Sequence, residues 1–431
     1  MFSNTYLPHV GGVARSVSGL VDGLRAGGHD VLVIAPEFDG AEVDGENVVR
    51  IPAVTNFSAS DFSIPIPLSR KIRRKVREFN PDIIHSHHPF LLGDTALRTS
   101  AELNLPIVFT HHTRYDIYSH YLAQGSRRFE RLALSVSLGY CDLCDEVIAP
   151  SESIAGFLRD NDMAAPVTVI PTGVDPAKFE GGDSRKARVT YRIPENAFVV
   201  GHVGRLAEEK NLGFLISATL KFLAKHPDAH AVFTGDGAER EKMLARVRWA
   251  GMGDRVHFTG ILRGDALRDI FAAFDVFAFS SRSETQGLVI AEAMMAGVPV
   301  IALDAPGVRE VVEGNVNGHL LPKNCSENLF AEELARFSML DDDERRRMSA
   351  GAKRTARGYT IANCNARMIS VYEHLKGRHT KNAASDKYEW QRTIRGIAAE
   401  MKIFGNYAQA FGGAVFTLRQ NKKNIPAEES L

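Results

Sequence analysis

An excess of charge of one sign is missing: lysine plus arginine and aspartate plus glutamate number 52 each. No global field therefore draws the chain to a polyanion, and nucleic acid is not an expected partner. Any contact with an anionic surface must be built locally. No apolar run approaches the roughly eighteen residues that a bilayer span needs. The opening MFSNTYLPHV lacks a basic stretch followed by an apolar one, the pattern of a secretory signal. The expected location is the cytoplasm. Cysteine is sparse as well: Cys141, Cys144, Cys325 and Cys364 in 431 residues do not make a disulfide framework. Cys141 and Cys144 form a C-x-x-C, but no second pair completes a zinc site. The helical pattern of SLGYCDLCDEVIAP reads them as small buried thiols. No G-x-G-x-x-G follows an opening strand, so the fingerprint of an NAD-dependent dehydrogenase is absent.

What is present is an alternation of short β-rich runs with helical patterns. VLVIA from Val31, DIIHSH from Asp82, PIVFTHHT from Pro106, DEVIAPS from Asp145 and VTVIPTGVD from Val167 make one series. A second runs through FVVGHVGRL from Phe198, AVFTGDG from Ala231, RVHFTG from Arg255, DVFAFSS from Asp275 and PVIAL from Pro299. Such alternation predicts parallel sheets covered by helices on both faces, and 431 residues exceed what one hydrophobic core serves. Two Rossmann-like α/β domains follow, with ligands at the carboxyl ends of the strands. The Pro, Gly and charge-rich stretch from Pro171 to Pro194 marks the boundary. We expect an N-terminal domain over 1–175, a C-terminal domain over 190–375 and a helical tail over 376–431. One feature departs from the pattern. Only Met1 and Phe2 precede SNTYLPHVGGVARSV, too few for a central strand of about five residues. Either the recorded start is an internal methionine or the strand is genuinely short.

The segment from Ser283 to Pro322, SETQGLVIAEAMMAGVPVIALDAPGVREVVEGNVNGHLLP, concentrates the chemistry. Glu284 stands just before Gly287, and Glu292 lies inside an apolar helix with Leu288, Val289, Ile290, Ala291, Ala293, Met294 and Met295. A carboxylate buried there needs hydroxyl or amide donors, which sugar and ribose hydroxyls supply. The helix start near Gln286 and Gly287 offers backbone N–H groups to a phosphate. Upstream, GRLAEEKN supplies Arg205, a fork for phosphate oxygens, and Lys210, a point charge. Gly11 and Gly12 precede a helical pattern and let bare backbone approach a ligand. Histidines cluster at His85, His87, His88, His111 and His112. They could bind zinc, yet they fall at strand ends where a doubly wound sheet collects its ligands, and no convincing metal set emerges.

The E-x7-E pair followed by AGVPVIALDAPGVREVV resembles the retaining glycosyltransferases of family 4, which have the GT-B fold. The resemblance implies two Rossmann-like domains facing across a cleft, a nucleotide-sugar co-substrate, no tightly bound cofactor and no required metal. By it, Glu284 binds donor sugar hydroxyls and Glu292 the ribose. Gly204, Arg205 and Lys210 match a G-R-x4-K pattern that holds the departing diphosphate. Gly11 and Gly12 match the N-terminal glycine loop, Gly235 the turn beside the base, and Gln286, Gly287 and Leu288 the donor loop. His112 matches the active-site histidine, with His111 the alternative should the register slip. His112, Arg205, Lys210 and Glu284 are thus the expected catalytic set. The last helix is expected to cross back to the first domain.

The acceptor is less legible. PLSRKIRRKVREFNPD places Leu68, Ile72, Val76 and Phe79 on one helical face, with Arg70, Lys71, Arg73, Arg74, Lys75 and Arg77 around it. That pattern suits either a helix on an anionic membrane or one packed on the sheet. THHTRYDIYSHYL and SETQGLV resemble the diacylglycerol glucosyltransferases, as does Gln286 in place of an aromatic residue. The resemblance points to glucose from UDP-glucose, a lipid such as diacylglycerol as acceptor, and a peripheral place on the inner face of the membrane. A GDP-mannose-dependent mannosyltransferase of the phosphatidylinositol type shares the same residues. A nucleotide-sugar epimerase and a non-catalytic sugar-nucleotide binding protein stay open as other classes, as does the oligomeric state.

Overall fold

β-branched and aromatic runs bounded by Gly, Pro and Asn become short parallel strands, and the apolar stripes between them become covering helices. The computed structural model describes residues 1–9, 11–38, 47–54, 64–65, 69–114, 127–282, 284–383 and 398–410. The chain divides into two units: Met1–Pro150 with Ile154–Ile170 and Asn365–Leu431, and Ser151–Ser153 with Pro171–Cys364.

In the first unit β1 (Val33–Pro36) pairs in parallel with β2 (Val48–Ile51), while β3 (Ala53–Val54) and β4 (Ile64–Pro65) form a separate antiparallel pair. β5 (Ile84–Ser86), β6 (Ile107–Thr110), β7 (Glu146–Ala149) and β8 (Val167–Val169) follow side by side, all parallel. The first residues of the chain occupy the gap between β1 and β5. Phe2 N–H donates to the His85 carbonyl at 2.8 Å and the Phe2 carbonyl accepts from His87 N–H at 3.0 Å. On the other side Ser3 N–H donates to the Ile34 carbonyl at 3.0 Å and Ile34 N–H donates to the Met1 carbonyl at 2.8 Å. Three residues thus fill the central position, short as it is. Phe2, fully buried, anchors them in the core formed by Leu32, Ile34, Ile84, Phe109 and Val147.

The helix Gly12–Ala26 closes one face through Ala14, Val17, Val21 and Leu24. The helix Ser69–Phe79 turns Ile72 and Val76 into the core, so its apolar stripe packs on the sheet. Its cations remain at the surface: Arg73 pairs with Glu102 at 2.6 Å, Lys75 with Glu78 at 3.0 Å, and Lys71 Nζ donates to the Arg50 carbonyl at 2.7 Å. Leu68 lies outside the described residues. The C-terminal helix Ile361–Ala383 brings Tyr372 against Val17, Val21 and Leu24. In 398–410, Ile403 enters the core and Tyr407 Oη donates to Asp94 Oδ2 at 3.1 Å. Cys141 and Cys144 are core residues, and burial pushes both thiols up.

The second unit is one six-stranded parallel sheet made of β9 (Val199–Val203), β10 (His230–Thr234), β11 (Val256–Gly260), β12 (Val276–Phe279), β13 (Val300–Leu303) and β14 (Gly318–Leu321). Its order is β11-β10-β9-β12-β13-β14. Helices cover both faces, so the strands are mostly apolar, and wholly so in VFAF and VIAL. Gly201 in β9 is glycine for a packing reason: a Cβ there would lie 2.2 Å from the Phe274 ring. Because β9 neighbours β12 and not its successor in one direction, the order reverses between them. Their carboxyl ends frame the crevice at which such sheets bind ligands.

Candidate active site

The loops leaving β9 and β12 are stitched together. Ser280 Oγ donates to the Lys210 carbonyl at 2.9 Å, Ser281 Oγ donates to the Glu209 carbonyl at 3.3 Å, and Asn211 Nδ2 donates to the Ser280 carbonyl at 3.3 Å. A 3-10 turn over Glu208–Lys210 ends at Asn211, whose left-handed φ of 54° redirects the chain into the helix Leu212–Lys225. Lys210 Nζ is thereby set 2.5 Å from Glu284 Oε1, with side chains only 20% and 13% exposed. Two residues 74 positions apart in sequence become one half-buried ion pair. Arg205 is held differently. Its Nη2 donates to Glu209 Oε1 at 2.6 Å, and it is 60% exposed while Glu209 is 4% exposed. Sequence reasoning missed Glu209, although the Arg-x3-Glu spacing was there to be seen.

His202, also missed, is the penultimate residue of β9 and feels the charges of Lys210 and Glu284. Its Nδ1 lies 3.1 Å from the Ala278 carbonyl, so that nitrogen carries the proton. Its Nε2 has no hydrogen-bond partner among the described residues. Burial first, then Lys210, lowers its pKa to about 4, against the opposing pull of the Ala278 carbonyl and Glu284.

Gly235 and Gly237 are glycines because the loop after β10 runs against the loop after β9. A Cβ on Gly235 would lie 1.9 Å from the Gly204 carbonyl oxygen, one on Gly237 2.4 Å from that of Leu206. Leu206 N–H donates to the Asp236 carbonyl at 2.8 Å and Glu239 N–H to the Leu206 carbonyl at 2.9 Å. The G-D-G turn therefore shapes the loop that carries Arg205 and Lys210.

Gly287, with a left-handed φ of 73°, starts the helix Leu288–Met295, whose first turn has no side-chain cap. Glu292 is buried in that helix among Ala291, Ala293, Met294 and Met295. The side chain of Gln286 is committed elsewhere, exchanging hydrogen bonds with the backbone of Thr172.

In the first unit Gly11 is the extended N-cap of Gly12–Ala26, with no side-chain cap and no acidic residue in the first turn. A Cβ on Gly12 would meet nothing within 4 Å. His112, half-buried just past β6, has Nε2 3.0 Å from His87 Nδ1, the two rings stacked with centroids 5.3 Å apart. Burial, with help from His88 and His111, lowers the His112 pKa to about 3. His111 is fully buried, its ring set edge-on to Phe109. His85 is held by two side chains, its Nδ1 2.6 Å from Tyr372 Oη and its Nε2 2.7 Å from Thr110 Oγ1. His88 Nδ1 accepts from Asn4 N–H at 3.1 Å. Among the described residues no group of three His, Cys, Asp or Glu side chains is arranged to hold a metal. Ser283 and residues 115–122 of the THHTRYDIYSHYL segment lie outside the described residues.

The profile of Glycosyltransferase Family 4 matches residues 10–178, and that of Glycosyl transferases group 1 matches residues 183–355. The chain is 30% identical over 388 residues to a GDP-mannose-dependent alpha-mannosyltransferase of Mycobacterium tuberculosis, covering 89% of this chain and 98% of the relative. The chain belongs to glycosyltransferase family 4. This glycosyltransferase is also 29% identical over 326 residues to an alpha-monoglucosyldiacylglycerol synthase of Streptococcus pneumoniae, 74% of each chain. Its fold is that of crystallised relatives: Anabaena HepE in complex with UDP superposes with a TM-score of 0.67 at 22% identity, covering 86% of this chain and 98% of that one. WaaG, a glycosyltransferase involved in lipopolysaccharide biosynthesis, gives 0.66 at 16%, again over 86% and 98%. The glycosyltransferase is thus a GT-B enzyme with two Rossmann-like domains.

Proposed function

We propose that this glycosyltransferase moves glucose from UDP-glucose, with retention of configuration, to a hydroxyl of a membrane lipid such as diacylglycerol. The observation that carries the reading is the Lys210–Glu284 ion pair at the carboxyl ends of β9 and β12. It offers one cation for a departing diphosphate and one carboxylate for sugar hydroxyls, side by side. The bond from the anomeric carbon to the diphosphate oxygen breaks through an oxocarbenium-like state. The acceptor oxygen attacks the same face, and its proton passes to the departing diphosphate oxygen. Lys210 and Arg205 hold that oxygen's charge, which needs most stabilisation in the transition state. Glu284 orients the sugar, Glu292 the ribose, and His112 the transferred hexose. In the second unit Gly204, Gly235 and the backbone of Gln286, Gly287 and Leu288 are assigned to donor binding, and in the first unit Gly11 and Gly12 are given the same role. Charge from Lys210 and Arg205 stands in for a metal in this scheme, and undiminished turnover in EDTA is its direct test.

The lipid acceptor is supported by the relatives named alpha-monoglucosyldiacylglycerol synthase. Arg70, Lys71, Arg73, Arg74, Lys75 and Arg77 on one exposed helix provide a local basic surface for an anionic membrane. No described helix is long and apolar enough to cross a membrane. Contact through this helix is therefore electrostatic and peripheral, since its apolar stripe is occupied.

A second reading, mannosyl transfer from GDP-mannose, is favoured by relatives of that name that are 30% and 32% identical over 98% of their own length. Donor hydrolysis across UDP- and GDP-sugars, with and without anionic vesicles, separates the two. Product from UDP-glucose only with diacylglycerol vesicles supports the first reading, and turnover of GDP-mannose alone overturns it. Interconversion of UDP-sugars without an acceptor would indicate an epimerase, and binding with no consumption a non-catalytic module.

A further inference from the structure

His87 follows β5 and His112 follows β6, and the parallel register of those strands, His85 against Val108 and Ser86 against Phe109, sets the two histidines alongside each other. We propose that His87 is a positioning residue that fixes the tautomer of His112, so that His112 meets the substrate as a neutral Nδ1–H donor and not as a base. The inference rests on the reading of His112 as the group that touches the transferred sugar.

His87 Nδ1 and His112 Nε2 are 3.0 Å apart, and neutral rings at that distance share one hydrogen. If His112 Nε2 donated, the other nitrogen of His87 would be an N–H. That nitrogen, His87 Nε2, is buried without a partner among the described residues. An orphaned buried N–H is the costlier orphan, whereas a bare ring nitrogen leaves only an unused lone pair. The hydrogen therefore sits on His87 Nδ1, His112 Nε2 accepts it, and the remaining hydrogen of His112 is on Nδ1. Neighbouring rings do not offer His87 another arrangement. His85, whose ring centroid lies 4.2 Å from that of His87, has both nitrogens engaged by Tyr372 and Thr110. His88 uses Nδ1 to accept from Asn4. Burial pulls His85, His87, His88 and His112 all below the ordinary histidine value, so a shared positive charge does not replace the neutral hydrogen bond. His87 N–H in turn donates to the Phe2 carbonyl, which fixes the backbone from which the ring projects.

A neutral imidazole with its hydrogen on Nδ1 and its Nε2 lone pair already used has nothing left with which to take a proton. It can orient a sugar hydroxyl oxygen, and the acceptor's proton must go elsewhere, to the departing diphosphate oxygen. Free imidazole side chains favour the Nε2–H form, so the Nδ1–H form is a specific mark of His87.

Two-bond proton–nitrogen NMR on the labelled full chain reads the tautomer directly. The wild type should show His112 in the Nδ1–H form, and an Nε2–H pattern overturns the proposal. His87→Ala should shift His112 toward Nε2–H. It should also lower kcat about tenfold or more, the scale of losing a group that orients a histidine, with KM for the donor little changed. The donor is whichever of UDP-glucose or GDP-mannose the wild-type chain hydrolyses. His87→Asn, whose amide N–H stands where Nδ1–H stood, should restore both the pattern and most of kcat. A His87→Ala chain with unchanged spectrum and unchanged kcat sinks the proposal. His112→Ala is the separate control. If it turns over normally while the wild-type spectrum still shows Nδ1–H, the role of His112 fails and the tautomer assignment does not.

Discussion

The side-chain amide of Gln286 lies along the backbone of Thr172, its Oε1 accepting from Thr172 N–H at 2.6 Å and its Nε2 donating to the Thr172 carbonyl at 2.9 Å. Both bonds belong to the second unit, and they tie the loop after β12 to the Pro171–Gly173 segment. Gly307 helps by passing close: a Cβ there would lie 2.7 Å from Gln286 N. Gln286→Ala should cost about 1–3 kcal/mol, the scale of leaving buried polar groups unpaired. Gln286→Glu should also destabilise, because a carboxylate replaces the donor that faces the Thr172 carbonyl. Urea denaturation of the variants reads this, and wild-type stability in both would refute the role of the pair.

Lys210→Ala removes the charge expected to meet the departing diphosphate. Turnover should fall by about two orders of magnitude or more, with fold and donor affinity less affected. Arg205→Ala should be milder and more sensitive to salt, because Arg205 is 60% exposed and shared with Glu209. Steady-state kinetics of the two variants at low and high ionic strength separate them. Equal losses with equal salt dependence would contradict the difference in burial.

Gly235 sits at a positive φ of 132° with no room for a methyl group against the Gly204 carbonyl. Gly235→Ala must displace the loop that carries Arg205 and Lys210. The expected result is a loss of about 1–3 kcal/mol in stability together with a loss of turnover. Full activity in this variant would show that the loop position does not matter to the reaction.

The buried histidines make stability depend on pH. His88 and His112 are lowered to about 3 and His202 to about 4, burial being the largest cause in each. A base with a lowered folded pKa stays neutral while its unfolded counterpart binds a proton. Below about 6.5 the unfolded chain therefore gains protons that the fold refuses, and stability is full above that pH. It should decline as pH falls below about 6.5, down to about 4 for His202 and about 3 for His88 and His112, each contributing at most about 1.4 kcal/mol per pH unit. Denaturant titrations at pH 7.5, 6.0 and 5.0 check the slope, and a flat profile would rule the effect out.

The alternation of strand and helix patterns was legible along the sequence because parallel strands buried on both faces must be apolar throughout. β12 reads VFAF and β13 VIAL, with every residue buried. The motif residues were legible too, since GRLAEEKN and SETQGLV are local strings. What a string cannot carry is which side chains meet. The sequence itself determined two α/β domains, apolar strand cores and the residue types at each loop. Only tertiary structure decided that Lys210 pairs with Glu284, that Gln286 is taken by Thr172, and that His87 faces His112. Those partnerships depend on strand order. The reversal between β9 and β12, like the insertion of Met1–Ser3 between β1 and β5, joins loops that are distant in the chain, and no periodicity records which neighbours a strand will choose.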